Sequence, residues 1–309
     1  MDDHSHHGPA PGSRGEDRLG DLTVVPDMVD RLRASGLTSL DALFRVVPDQ
    51  VLDKPGLAPW RERLRITLPG GPELESSMPP VTAYLKRYSQ PPRRAYRGLR
   101  TPHPRYRSLA AMEWAWLRLL QKAGIPAPMP IAFGEEMRGL WETRSALLIA
   151  AVPGDSLERI APRLEPRDRA RIRKLLDTVA ALVARFHGLG LVHRDLYLAH
   201  IFADGIADSN GSPRLHLIDA ARLFRPTILR RRWIAKDLAA LAYSTPRVLV
   251  SMIDRARWLR SYLGTRRLGR DGRRLWYHVD GKVRRIARHD QRRRARLAKK
   301  TASAPEVRT

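Results

Sequence analysis

The sequence predicts an α+β fold, with a strand-rich N-terminal half and a mainly helical C-terminal half. Residues 80–90 alternate small or apolar side chains with polar and aromatic ones, and this period of two indicates a strand. Residues 108–124 and 166–188 place apolar side chains three and four positions apart, which indicates two amphipathic helices. Residues 236–264 also have helical spacing, with an interruption near Pro246.

The helix predicted at 108–124 has recognisable ends. Ser108 can cap its N-terminus, Gly124 can end it, and Pro126 prevents its continuation. Glu113 lies beside the apolar stripe of this helix. We therefore expect Glu113 at the edge of the buried face.

Composition divides the chain into four predicted segments. Residues 1–20 have no apolar signal region and are expected to form a disordered leader. Residues 21–152 form an N-lobe with the predicted strand and the Glu113 helix, and residues 153–280 form a C-lobe. Residues 281–309 form a basic tail, for which a surface helix and a disordered arm both remain open.

Amino-acid composition excludes several classes of protein. The chain has no cysteine, so a disulfide framework, a thiol nucleophile and a cysteine zinc site are excluded. The longest apolar run, at 145–154, is far shorter than the roughly 18–20 residues of a membrane helix. These features fit a reducing compartment, and we expect a cytoplasmic protein.

The charge of the chain is strongly positive. It has 57 lysines and arginines against 32 acidic residues, which gives a formal net charge of +25. Such an excess favours an anionic partner: nucleic acid, an anionic membrane surface or a phosphorylated substrate. The surplus is concentrated in residues 92–107, in residues 225–233 and in the tail.

Four charged residues carry the candidate chemistry. Lys86 lies on the predicted strand, and Glu113 follows 27 residues later on the helix. Asp195 lies in a loop after the long helix, and Asp219 follows an apolar strand 24 residues further on. Each residue alone is more often an ordinary surface, core or turn residue. In their order and spacing, together, they resemble the two-lobed protein-kinase-like fold, which is therefore the expected fold.

Three segments narrow this resemblance. They are HRDLYLAH at 193–200, LIDAARL at 217–223 and RRRWIAKDLAALAYS at 230–244. Over about residues 80–245 the chain resembles the bacterial lipopolysaccharide core kinases of the WaaP type. It departs from ordinary protein kinases, which have Asn where His200 stands and Phe-Gly after Asp219.

The resemblance implies a role for each charged residue. Lys86 is expected to meet the α- and β-phosphates of ATP, with Glu113 fixing its side chain. Asp219 is expected to hold Mg²⁺, with Mn²⁺ as an alternative, and Asp195 to accept or orient the proton of the acceptor hydroxyl. These groups would then converge around a triphosphate. The alternative for Lys86 and Glu113 is a structural salt bridge without nucleotide.

Other residues in and near this loop also have expected roles. His200 could contact the metal directly, act through water, or bond only to Asp195. His193 is expected to brace the loop rather than react, and Arg194 is expected to be structural. Asp237 resembles a buried carboxylate that ties down the backbone of this loop.

The phosphate-binding loop is the weakest part of the resemblance. No Gly-x-Gly-x-x-Gly occurs, and the only candidates are Gly70 and Gly71, just before the Lys86 strand. Their amides could approach phosphates, but a plain turn is an equal alternative. This absence leaves open a pseudokinase, which the four charged residues argue against.

The expected acceptor is anionic. We expect Arg230, Arg231 and Arg232 to help bind this acceptor, an anionic lipopolysaccharide-core-like glycolipid or a sugar phosphate, with a solvated helix face as the alternative. Basic segments are also attracted to anionic lipid surfaces, so peripheral contact with the inner face of the cytoplasmic membrane is expected.

Other functions remain as alternatives. A protein Ser/Thr/Tyr kinase or a small-molecule kinase would share the fold and differ only in the acceptor. A nucleic-acid-binding protein would use the basic tail, but that tail has no interleaved aromatic residues. Nucleic acid is therefore not expected as the main partner.

Overall fold

A computed structural model describes residues 16–52, 56–70, 79–205 and 213–302, with side chains up to residue 296. The chain divides into two units. The first comprises residues 1–119 and 128–151, and the second comprises residues 120–127 and 152–309. Each unit is described by itself below.

The first unit contains an antiparallel sheet with strand order β1-β2-β6-β7-β5-β4-β3. The strands are β1 Asp17–Leu19, β2 Leu22–Val24, β3 Gln50–Val51, β4 Arg61–Leu68, β5 Val81–Ser89, β6 Pro130–Arg138 and β7 Trp141–Ala150. The helices are α1 Val29–Ala34, α2 Leu40–Arg45 and α3 Leu109–Lys122, whose last turn belongs to the second unit.

The predicted strand at 80–90 is confirmed as β5. Its alternation of buried and exposed side chains holds from Val81 to Leu85 and then breaks, because Lys86 is also buried. In the sheet, Lys86 lies between Arg63 of β4 and Leu147 of β7. A central strand thus carries a charged side chain into the interior.

The predicted ends of α3 are confirmed. The Ser108 hydroxyl accepts the amide of Ala111 at 3.1 Å, and Gly124 has a φ of 66°, in the left-handed region that favours glycine. The predicted position of Glu113 at the edge of the buried face is wrong, since only 1% of its surface is exposed. Its partner, described below, explains why it is buried.

The second unit is mainly helical. Its helices are α4 Leu157–Ile160, α5 Arg169–Gly188, α6 Arg230–Ser244, α7 Met252–Leu263 and α8 Arg270–Ala302. A small antiparallel sheet of order β10-β9-β8 consists of β8 Asp155–Ser156, β9 Ile201–Asp204 and β10 Arg214–Leu217. The predicted long helix corresponds to α5, which buries Ile172, Val179 and Phe186.

Two predicted segments end differently in the structure. The leader was expected through residue 20, but Asp17–Leu19 forms β1 and pairs with β2, so the expectation is wrong for these residues. Residues 1–15 lie outside the described residues. Helix α8 continues across residue 280, so no element ends where the basic tail was expected to begin.

The interruption near Pro246 is confirmed. Helix α6 ends at Ser244, and α7 begins at Met252. Ser251 and Asp254 form a capping box at the start of α7. The Ser251 hydroxyl accepts a hydrogen bond from the Asp254 amide, and the Asp254 carboxylate accepts one from the Ser251 amide. No helix within the described part of the chain is both long enough and apolar enough to span a membrane.

Candidate active site

Lys86 and Glu113 form a buried ion pair in the first unit. The Lys86 Nζ lies 2.5 Å from Glu113 Oε1, and their side chains are 9% and 1% exposed. Among the described residues, Glu113 Oε2 has no hydrogen-bond partner. A buried ammonium group held by one carboxylate oxygen is suited to bind a further anion, such as a phosphate.

A second carboxylate fixes the start of the helix that carries Glu113. Glu142 is buried, and it accepts the amide of Leu109 at 2.8 Å, the Ser145 hydroxyl at 2.6 Å and the Tyr96 hydroxyl at 2.5 Å. Burial raises the pKa of Glu142 above its ordinary value. Sequence reasoning missed this residue, because its neighbours at 96 and 109 are far away along the chain.

The structure does not bring Gly70 to Lys86. Leu68 pairs with Val81 at one end of the β4–β5 ladder, and Lys86 lies five positions along β5 from that end. At about 3.3 Å per residue, this separation is roughly 16 Å along the strand. Gly71 lies outside the described residues.

In the second unit, Asp237 holds the loop that carries Asp195. Asp237 is fully buried, and its two carboxylate oxygens accept the amides of His193 at 2.6 Å and Arg194 at 2.8 Å. Arg194 has a φ of 73°, which is unusual for a residue with a side chain. The predicted scaffold role of Asp237 is confirmed, and its two hydrogen bonds stabilise the strained backbone.

Apolar residues anchor the rest of this loop. Leu196 and Leu198 are buried on either side of Tyr197, and the Leu198 amide donates to the Ser244 hydroxyl at 3.0 Å. The Asp195 side chain, directly before these anchors, stays partly exposed. The loop therefore presents Asp195 from a backbone fixed on both sides.

His193 braces the loop, as predicted. Its side chain is 1% exposed, and Nε2 lies 2.9 Å from the carbonyl oxygen of Ile218. Its ring stacks on that of His200, with 5.8 Å between centroids. Burial lowers the pKa of His193, so the ring is neutral and donates to Ile218 from Nε2.

The orientation of His200 leaves one ring nitrogen facing Asp219. His200 Nδ1 lies 2.6 Å from the backbone carbonyl oxygen of Asp195 and must donate to it. In the neutral ring, Nε2 then carries the lone pair, and it lies 3.9 Å from Asp219 Oδ2. The bond to Asp195 is thus to its backbone and leaves its carboxylate available.

Asp219 is presented by an uncommon backbone conformation. Its φ of 61° and ψ of 63° lie in the left-handed region, which Asp adopts more readily than most residues. The carboxylate and the His200 imidazole form a mixed oxygen and nitrogen donor pair, which fits a divalent cation that also binds phosphate oxygens. The described residues contain no cluster of three or more such ligands.

The side chain of Asp195 has a partner that sequence reasoning missed. Arg222 Nη1 donates to Asp195 Oδ2 at 2.6 Å, and the two side chains are 45% and 25% exposed. Arg222 ends the short 3-10 helix Ala220–Arg222 directly after Asp219. Its position in the LIDAARL segment, three residues after Asp219, was the available signal.

The three arginines expected to bind the acceptor differ in their surroundings. Arg230 donates to the carbonyl oxygen of His187 at 2.6 Å, near the end of α5. Arg231 lies 4.0 Å from Asp271 and is 87% exposed. Arg232 lines a cavity beside Tyr197 of the loop.

The strand-rich unit and the helical unit, with their charged residues in the order found here, define the protein-kinase-like fold. The family model described as "Lipopolysaccharide kinase (Kdo/WaaP) family" matches residues 84–262, which is more than half of the chain. The protein belongs to this family.

Named relatives agree with this assignment. The lipopolysaccharide core heptose(I) kinase WaaP of Pseudomonas aeruginosa is 31% identical over 159 residues, which are 50% of this chain and 59% of that protein. The WaaP of Escherichia coli K12 is 29% identical over 161 residues, with coverage of 50% and 60%. The chain thus spans about three fifths of the length of these curated relatives.

A solved structure supports the fold over a larger region. It is described as WaaP in complex with acyl carrier protein and is 23% identical to this chain. The similarity covers 86% of this chain and 98% of that one, with a TM-score of 0.60. At this level of identity the similarity shows the fold.

Proposed function

We propose that this protein is an ATP-dependent kinase that transfers the γ-phosphate to a hydroxyl of a lipopolysaccharide-core-like sugar. The single observation that carries the proposal is the loop geometry around Asp195. Its carboxylate is held by Arg222, its carbonyl oxygen is held by His200, and the two backbone amides before it are held by Asp237. Membership of the lipopolysaccharide kinase family supports this choice of acceptor over a protein or a small metabolite.

Each residue of the loop has a defined task in this proposal. Arg222 occupies Oδ2 of Asp195, so Oδ1 is left to orient the acceptor hydroxyl and accept its proton. Asp219 and the Nε2 of His200 hold a divalent cation, for which Mg²⁺ and Mn²⁺ are the candidates. ATP with its metal supplies an electrophilic phosphoryl group whose negative charge is partly neutralised.

Lys86 binds the nucleotide phosphates in this proposal, and Glu113 positions its side chain. The buried carboxylate holds the ammonium group in one position, so that it is oriented before ATP binds. The basic surface suits an anionic glycolipid acceptor. We place the protein on the cytoplasmic side, in peripheral contact with an anionic membrane surface.

The test is phosphate transfer from γ-labelled ATP to purified acceptors. The acceptors are envelope glycolipid extracted from cells that lack the gene, casein, and free neutral sugars. We expect label in the glycolipid, and mass spectrometry should find one added phosphate there. Asp195→Asn serves as the inactive control.

Other outcomes would change the proposal in defined ways. Label in casein or in the free sugars, but not in the glycolipid, would assign a different acceptor. Failure of the folded protein to transfer phosphate to any acceptor would favour a pseudokinase. High affinity for RNA or DNA that falls steeply with salt and survives loss of Asp195 and Asp219 would favour a nucleic-acid-binding protein.

A further inference from the structure

A basic pocket of about 330 Å³ lies beside the Asp195 loop, within the second unit. Its charged lining comes from two helices, Arg232 and Lys236 of α6 and Lys282 and Arg285 of α8. The aromatic rings of Tyr197 and Trp233 also line it, and none of its lining residues is acidic. These six residues define what is called the basic pocket below.

The four cations of the basic pocket lie close together. None of them forms a salt bridge with any residue that the structure describes. Burial lowers the pKa of Lys282, and the charges of Arg232, Arg285 and Lys236 lower it further. Like charges in one partly buried site destabilise the folded protein, and a bound anion would remove that cost.

The basic pocket adjoins the proposed catalytic carboxylate. Tyr197 lies two residues after Asp195, and its amide donates to the Asp195 carbonyl oxygen at 2.9 Å. Burial lowers the pKa of Lys236, while the negative charge of Asp195 acts against this shift. A molecule in the pocket would therefore lie close to Asp195.

The size and composition of the pocket suit a charged sugar. Its volume is at the lower end of the range for small-molecule sites. Aromatic rings pack well against the C–H faces of sugar rings, and the Trp233 ring packs edge-to-face on Phe224 with the Lys236 ammonium group 5.6 Å from its centroid. The four cations favour an acidic group on that sugar.

We infer that the basic pocket binds an acidic substituent, a carboxylate or a phosphate, on the acceptor sugar and so places a neighbouring hydroxyl at Asp195. The inference rests on the proposed kinase function and specifies its substrate class. The kinase would act after the reaction that attaches an acidic sugar, or a first phosphate, to the acceptor. It would discriminate against the neutral precursor.

The first test is binding, measured by isothermal titration with three soluble probes. They are glucose 6-phosphate, galacturonic acid and glucose, so phosphate, carboxylate and neutral sugar are compared directly. We expect one or both acidic probes to bind, and glucose to bind at least about tenfold more weakly. Equal binding of all three, or no binding of either acidic probe, would overturn the inference.

The second test uses two double variants with the same change in charge. Lys282→Gln with Arg285→Gln removes two cations from the pocket, and Arg288→Gln with Arg292→Gln removes two exposed cations from the same helix. We expect the pocket variant to weaken binding of the acidic probe by at least about tenfold. The matched variant should bind like the parent, and equal weakening in both would refute a specific site.

Kinetics with the extracted glycolipid separate this inference from the proposed function. We expect the pocket variant to raise the KM for glycolipid at least about tenfold and to leave the KM for ATP unchanged. If the parent phosphorylates the glycolipid and the pocket variant keeps its acceptor KM, the pocket inference fails and the kinase stands. If the parent binds the acidic probes but transfers no phosphate, the proposed function fails and the anion site stands.

Discussion

Arg222 donates a hydrogen bond to the Asp195 carboxylate at 2.6 Å, although the two residues lie 27 positions apart. The contact joins the loop before β9 to the turn after β10. It occupies one oxygen of Asp195 and fixes the direction of the other. Arg222 is therefore a positioning residue for the proposed base.

We expect Asp195→Asn to lower kcat by about 10²–10⁴-fold, because the amide cannot accept the hydroxyl proton. Arg222→Gln should lower kcat less, and Arg222→Lys should restore part of it. Adding Arg222→Gln to Asp195→Asn should lower kcat little further, since Arg222 acts through Asp195. Steady-state kinetics of all four variants measure this, and losses that multiply independently would contradict the positioning role.

The Lys86–Glu113 pair should affect stability and activity in different ways. Glu113→Ala leaves a buried ammonium group unpaired, so the free energy of unfolding should fall by about 3–5 kcal/mol. Lys86→Met with Glu113→Leu removes both charges and should recover most of that stability. Urea denaturation measures stability, and phosphate transfer should be lost in both variants. An active double variant would mean that the pair is only structural.

The dependence of phosphate transfer on a divalent cation should be set by His200 and Asp219. Chelation of divalent cations by EDTA should abolish phosphate transfer. Because imidazole is a better ligand for Mn²⁺ than for Mg²⁺, Mn²⁺ should reach half-maximal activity at a lower concentration. His200→Asn should reduce this preference, and Asp219→Asn should raise the requirement for either metal by at least about tenfold. An unchanged metal titration in His200→Asn would exclude the imidazole as a ligand.

Asp254 should give the protein part of its stability at acid pH. Hydrogen bonds from Ser251 lower the pKa of Asp254 from 3.8 to about 2, with the Arg169 guanidinium adding to the effect. Because the folded pKa is lower, this contribution is fully present above pH 3.8 and is lost as the pH falls through about 2.

The measurement is Tm against pH for the parent and Asp254→Asn. The gap between them should be widest near neutral pH and should narrow below pH 4. Asp271→Asn removes an exposed carboxylate as a control and should change Tm little. A constant gap down to pH 2 would contradict the role assigned to Asp254.

The parts of the site that could be predicted are those with local patterns. Lys86 stands in a segment whose sequence alternates with a period of two, Ser108 and Gly124 mark the ends of a helix, and Asp195 directly precedes the apolar residues Leu196 and Leu198. Asp237 was recognisable because its helix resembles the family pattern. Each of these signals spans only a few residues, so one sequence was enough to show them.

The parts that could not be predicted depend on distant elements or on direction along the sheet. Arg222 reaches Asp195 only because the backbone turns at Asp219. Two glycines in a sequence indicate a turn but do not show at which end of the strand pair it lies. The pairing of β4 with β5 places the turn that follows Leu68 at the end far from Lys86, so Gly70 could not be excluded from sequence alone. Strand β1 is too short and polar to show a period.

Helix α8 determines where this chain can be shortened. Beyond residue 280, Val283 lines an apolar cavity of about 140 Å³, and Asp290 accepts the Tyr243 hydroxyl at 2.7 Å. Many of the residues removed by stopping at 280 are charged, and their loss looks harmless. Such a fragment would nevertheless expose the apolar residues beneath the helix and would aggregate more readily. Residues 283–290 thus contribute to the packing of the second unit, and a shortened version of the chain should keep them.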